Sequence, residues 1–428
     1  MDVRTTTLSN GMTVVTDHMP HLKTAALGVW VRTGSREETL EQNGITHLLE
    51  HMAFKGTLSR TALEIAEQIE AVGGELNAAT SIEHTSYYAR VLEEDVPLAV
   101  DLLSDILQHS VFDKGELERE KHVILQELGA AIDSPEDRAF DLFQSTAWPD
   151  QPLGRPILGT TESVKGFSTE ALQGYLEDRY RGPDMVLSAA GAVDHDALVS
   201  LAEEKFVKIR PEPAIQTAGA QYKGGENSLV KDLMEAQILI GFEGRPYKSK
   251  DYYAIQILAS ILGGGMSSRL FQEVREKHGL CYAIYSFHWA FSDTGAFAIH
   301  AATSQGDIPP LLELIVYELQ QAGETISERE VERSRAQIRA GLMMALESPT
   351  ARAGQIARQI LVHGRVMDIN EISERIEEVT AADIRRVAKE VFCGSMPTLT
   401  AVGPVNNLMK VEDFANKLAE PLLQAAAN

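Results

Sequence analysis

The sequence matches itself. Residues 116–139, ELEREKHVILQELGAAIDSPEDRA, align without a gap with residues 330–353, EVERSRAQIRAGLMMALESPTARA. Both stretches open on Glu-x-Glu-Arg, and both carry a Ser-Pro pair, Ser134-Pro135 and Ser348-Pro349, at the same interval from Arg119 and Arg333. The offset is constant, since 330−116 and 348−134 both equal 214. Upstream, EDVPLAVDLLSDIL (94–107) resembles GDIPPLLELIVYEL (306–319) in its Asp-x-Pro opening and in the helical spacing of its apolar residues. A repeat of this length constrains architecture more than any composition does, because one supersecondary plan must be built twice.

The 428 residues exceed what one hydrophobic core organises, which agrees with two domains. Between the copies, KIRPEPAIQTAGAQYKGGEN (208–227) is rich in Pro, Gly, Ala and Gln and reads as a linker. The expected division is a first domain over 1–208, a linker over 209–227 and a second, homologous domain over 228–428. Within each copy, runs such as TVVTD, LGVWVRTG, TSYYARVL and DMVLSAAGAV read as strands. TALEIAEQIEAV and PLAVDLLSDILQ have the 3.6-residue period of helices. Strands alternate with helix pairs, not with single crossover helices. The expected class is therefore α+β, with a mainly antiparallel sheet packed against helices in each domain.

A formal net charge of −23 excludes a nucleic-acid footprint and favours cationic partners. The apolar run Ala254–Met266 is too short and too broken by glycines to span a membrane. Two cysteines, Cys281 and Cys393, give no disulfide framework. The N-terminus has neither a signal nor a transit pattern, so the expected location is cytoplasmic.

Chemistry enters where the copies differ. In GITHLLEH, His47 and His51 lie four apart, about 40° apart around a helix, and can grip one zinc ion. Glu50 stands about 60° from His47, within reach of a water but off the ligand line. The order His-x-x-Glu-His is the inverzincin pattern. A catalytic zinc needs a third protein ligand, and glutamates crowd residues 116–127, where the helix face can discriminate among them. Glu120 and Glu127, two turns apart, share a helix face to within about 20°, whereas Glu118 points the other way. Under the 214-residue offset Glu127 aligns with Gly341 and Glu120 with Ser334, while Glu116 and Glu118 align with Glu330 and Glu332. Carboxylates common to both copies read as structural, and those unique to the first as chemical. The second copy's counterpart of the histidine helix, residues 252–265, has neither His nor Glu.

HLLEHMAFKGT, followed 76 positions after His51 by the Glu that ends EREKHVILQE, resembles the pitrilysin-type (inverzincin) zinc metallopeptidases, close to the bacterial peptidases that are like the mitochondrial processing peptidase β subunit. The resemblance covers nearly the whole chain, and it implies a zinc-dependent endopeptidase. It implies His47, His51 and Glu127 as Zn2+ ligands, Glu50 as general base and Glu120 as an outer helper. GGELNAAT (73–80) resembles the family's edge strand, with Asn77 and Ala78 pairing to substrate backbone. SSRLFQEVREKHGLCYAIYS (267–286) resembles the segment holding an Arg and a Tyr that contact substrate and stabilise its oxyanion, here Arg275 and Tyr282. The implied substrates are peptides, extended and basic in character, or unstructured polypeptide segments. Longer relatives close a chamber from four such domains, so two copies of this chain would form a homodimer with composite active sites. The competing reading is a non-catalytic core or peptide-binding subunit of a larger complex.

Overall fold

The computed structural model describes residues 2–215 and 217–420. Strands β1 (Asp2–Thr7), β2 (Thr13–His18), β3 (Thr24–Val31), β4 (Glu75–Thr80), β5 (Thr85–Leu92) and β6 (Met185–Gly191) form one sheet in the order β1-β2-β6-β3-β5-β4. Helices α1 (Ile45–Ala53), α2 (Ala62–Ala71), α3 (Val96–Gln108), α4 (Lys114–Asp133), α5 (Pro135–Ala147), α6 (Thr161–Gly166), α7 (Thr169–Arg179) and α8 (His195–Lys205) belong to the same half of the sequence. The other half carries β7 (Gly225–Val230), β8 (Ala236–Glu243), β9 (Ala283–Ala290), β10 (Gly295–Thr303) and β11 (Thr398–Gly403), in the order β7-β11-β8-β10-β9. Its helices are α9 (Tyr252–Gly263), α10 (Ile308–Thr325), α11 (Glu328–Leu346), α12 (Pro349–His363), α13 (Ile369–Glu377), α14 (Ala381–Cys393) and α15 (Val411–Ala419).

Apart from β1, the two sheets share one plan. Each has a single parallel pair, β2–β6 and β7–β11, and every other pairing is antiparallel. The class is α+β, as the patterning predicts. β3, TAALGVWV, is buried at every position after Thr24, which suits a strand covered on both faces. One face packs under α1, α3 and α4 through Leu48, Leu49, Met52, Leu102, Leu103, Ile106, Ile124 and their neighbours.

The cover of the opposite face comes from elsewhere in the sequence. Packing divides the chain into a unit of 1–129, 155–218 and 342–367, and a unit of 130–154, 219–341 and 368–428. Each half of the sequence thus gives one helix to the other unit. In the first unit α12 lays Ala353, Ile356, Ala357 and Ile360 on Val15, Trp30, Val186 and Ala190. A buried ion pair, Arg352 Nε to Asp17 Oδ2 at 2.6 Å, fixes it to β2. In the second unit α5 packs on β7, β8 and β11, and the Phe143 ring fills the space beside Gly241, where a Cβ would lie only 2.3 Å from it. The repeated Ser-Pro marks the start of both exchanged helices. Ser134 and Ser348 are the N-caps, accepting from the N–H of Asp137 and Ala351, and Pro135 and Pro349 occupy the first helical position.

Candidate metal centre

α1 starts at Gly44, whose φ of +94° is readily adopted only by glycine. A Cβ there would also meet the Leu158 carbonyl oxygen at 2.8 Å. Ile45, Leu48, Leu49 and Met52 are buried in the core, which leaves His47, Glu50 and His51 on the partly exposed side. α4 runs beneath with Leu117, Ile124 and Leu128 in the same core. This seating turns Glu120 inward, only 6% exposed, and leaves Glu127 half-buried. Glu118 lies exposed on the far face, paired with Lys121 at 2.7 Å.

His47, His51 and Glu127 converge, each offering one ligand atom within 4.8 Å of the others. The Nε2 atoms of His47 and His51 both stand 3.8 Å from Glu127 Oε2. That spacing is too long for a hydrogen bond. It is close to the roughly 3.3 Å between neighbouring ligands at tetrahedral zinc with bonds of about 2.0–2.1 Å. Glu127 Oε2 is buried and has no hydrogen-bond partner among the described residues, a costly state for a carboxylate oxygen unless a cation satisfies it. Burial, reinforced by the neighbouring His51, pushes His47 down to about 4, so its imidazole is neutral and its lone pair available at neutral pH. Two imidazoles that face one carboxylate oxygen across 3.8 Å fit a zinc ion.

The surrounding groups orient this set. Glu120 Oε2 accepts from His51 Nδ1 at 2.9 Å, which directs Nε2 toward Glu127. Lys55 Nζ sits 2.7 Å from the other Glu120 oxygen and balances its buried charge. The Thr80 hydroxyl donates a hydrogen bond to Glu50 Oε2, holding the carboxylate beside the histidines on α1.

Among the described residues β4 is the free edge of its sheet, pairing only with β5, and Asn77 and Ala78 lie opposite Tyr88 and Tyr87. The Ala78 N–H is already engaged, donating to Asn77 Oδ1 at 2.8 Å, so it must be released before a further strand can use it. Arg275 and Tyr282 are brought together in the second unit. The Arg275 guanidinium lies 4.6 Å from the Phe271 ring centre and 5.6 Å from that of Tyr282. Tyr282 is 75% exposed, and its own N–H is tied to the Ala302 carbonyl. Neither belongs to the unit that holds the histidines.

Residues 13–161 match the family described as "Insulinase (Peptidase family M16)", and residues 166–338 match "Peptidase M16 inactive domain". The chain is 40% identical over 398 residues to an uncharacterized zinc protease of Rickettsia felis, spanning 93% of this chain and 96% of that one. This chain belongs to peptidase family M16. A probable mitochondrial-processing peptidase subunit beta of Arabidopsis thaliana is 35% identical over 431 residues, spanning 97% of this chain and 81% of the relative. A protease from Helicobacter pylori shares the fold, with a TM-score of 0.87, 22% identity, and 94% of this chain and 99% of that one covered.

In this M16 chain the stretch matched by the inactive domain holds α9, the helix without His or Glu, and the Arg275–Tyr282 pair. Lys55 and Thr80 are the site residues that spacing does not reveal. Both lie inside motifs the sequence does mark, HLLEHMAFKGT and GGELNAAT, but an isolated Lys or Thr reads there as a surface residue.

Proposed function

We propose that this chain is a zinc-dependent endopeptidase that cleaves extended peptides, or unstructured segments of polypeptide, in an enclosed chamber. The observation that carries the proposal is the convergence of His47, His51 and Glu127 around a buried, partnerless carboxylate oxygen. The zinc proteases among its relatives support the same reading. Zinc, when bound, supplies Lewis acidity and water activation near neutral pH. The protein's own work is positional and protonic. Glu120 keeps His51 in one tautomer, and Lys55 holds Glu120 in place. Glu50, aimed by Thr80, takes the proton of the attacking water and delivers it to the leaving amine. Asn77 turns away from the Ala78 N–H so that a substrate strand can pair with the β4 edge. Arg275 and Tyr282 donate to the substrate carbonyl as its oxygen gains charge.

The net charge of −23 favours basic peptides. Because the longer proteins this chain resembles close a chamber from four such domains and this chain supplies two, we read the working form as a homodimer with composite sites, the metal-ligand set of one protomer acting with Arg275 and Tyr282 of its partner. The test is peptide hydrolysis by purified protein whose metal content is measured in the same sample. The expected result is about one zinc per chain and cleavage that stops with a chelator and returns with zinc. Protein that folds, takes up no metal and cleaves no peptide would instead indicate a non-catalytic subunit.

A further inference from the structure

α1 carries no side-chain cap. Its N-cap residue, Gly44, is glycine because the chain passes too close to Leu158 and Gly159 for any Cβ, so a Ser, Thr or Asp at that place is sterically forbidden. Two amide hydrogens at this helix start, those of Gly44 and Thr46, are served from outside by Glu38, six residues upstream of Gly44. Its Oε2 accepts from the Gly44 N–H at 2.8 Å and from Asn43 Nδ2 at 3.2 Å, and its Oε1 accepts from the Thr46 N–H at 2.9 Å. Glu38 is 2% exposed, and its backbone carbonyl is held by Arg155 at 2.9 Å. Thr46, between this carboxylate and His47, is fixed a second time by its hydroxyl, 2.7 Å from the Tyr175 hydroxyl. Glu37 differs: its carboxylate accepts from the Gly34 N–H at 2.8 Å and makes no hydrogen bond to α1.

We propose that Glu38 is a positioning residue for the metal centre, fixing the start of α1 so that His47 and His51 face Glu127 together. The inference rests on the metallopeptidase reading. It places one buried carboxylate at each end of the ligand helix, Glu38 before its first turn and Glu120 against His51 near its last. A buried carboxyl group that accepts from both the N-cap amide of Gly44 and the first-turn amide of Thr46 resists rotation of the first turn. His47 is one residue beyond Thr46, and a rotation there swings its imidazole directly.

In Glu38→Gln the amide nitrogen must face one of the two N–H donors, which breaks one contact at nearly constant volume. Two readouts on intact protein test the proposal: the zinc dissociation constant, and the visible spectrum of the Co2+-loaded form, which reports ligand geometry without turnover. Glu38→Gln should bind zinc more weakly, on the order of 10-fold or more, with an altered Co2+ spectrum. Glu37→Gln should keep wild-type affinity and spectrum whatever it does to the melting temperature. If Glu38→Gln does not fold, Glu38→Asp carries the same test, since it keeps the charge but is one methylene too short to reach both amides. Wild-type affinity and spectrum in the folded Glu38 variant would overturn the proposal, as would equal losses in the Glu37 and Glu38 variants. Wild-type protein that takes up no metal would overturn the metallopeptidase reading, and this inference with it.

Discussion

α4 and α11 are the same helix twice, and they have been put to different uses. Glu116 and Glu330 keep ordinary structural work near their helix starts: Glu116 pairs with Arg119, and Glu330 pairs with Arg269 at 2.6 Å and caps Ser327. Glu118 and Glu332 are both exposed. The contrast begins one turn further on. Glu120 and its counterpart Ser334 are equally withdrawn from solvent, 6% and 1% exposed, yet only the first copy places a charge there. A buried carboxylate costs several kcal/mol unless it is paired, so Glu120 needs both Lys55 and His51. The second copy keeps the sheet order and the exchanged helix without these groups. The fold does not require the polar cluster, and a cluster retained at a cost in stability is best explained by what it does.

Substitutions can break this comparison. The largest effect is expected from Glu127→Ala, which should release zinc and abolish hydrolysis, while Glu118→Ala on the opposite helix face keeps both; equal zinc content in the two proteins refutes the division of the helix. Glu50→Gln comes next. It should hold zinc as wild type does and lose on the order of 10²-fold or more in kcat, because only the proton acceptor is gone. A zinc-loaded Glu50→Gln protein with full activity would remove Glu50 from the mechanism.

Mixing Glu50→Gln with Tyr282→Phe protein tests whether the two copies work across a dimer. Random exchange makes half of the dimers mixed, each with one intact and one doubly damaged site, so roughly a quarter of the wild-type rate should return. Verified exchange with no recovery would assign each site to a single chain. Glu120→Ala should weaken zinc affinity or activity by about 10 to 100-fold, with Lys55→Met moving it the same way but less. The smallest effects sharpen the likeness of the copies. Ser134→Ala and Ser348→Ala each remove one helix cap and should each cost about 1 kcal/mol in chemical denaturation, with zinc binding intact.

The site was more legible in the sequence than the packing was. His47, Glu50 and His51 could be read because positions four and three apart on a helix must share a side. Glu120 and Glu127 emerged from a crowd of glutamates because the second copy has Ser334 and Gly341 in their places. Lys55, Thr80 and Glu38 had no such contrast, since their roles depend on which loop or strand comes to rest beside α1. The exchange of α5 and α12 was hidden for a related reason. A 3.6-residue period shows that a helix has an apolar side but not which sheet receives it, and Ser-Pro announces a break without a destination.

That exchange bears on synthesis. The strands that make up the first sheet are complete once residue 191 has been made, but α12 ends at residue 363, which is 172 residues later. At about 5–20 residues per second, the apolar face of Val15, Trp30, Val186 and Ala190 waits on the order of ten to thirty seconds for its cover. During that interval the nascent chain displays a sticky surface that ribosome-bound chaperones are suited to mask, and a gene cut at codon 208 would leave it bare for good. The histidine-bearing half is not a detachable module: its folding has to be finished by a helix translated well after its own strands.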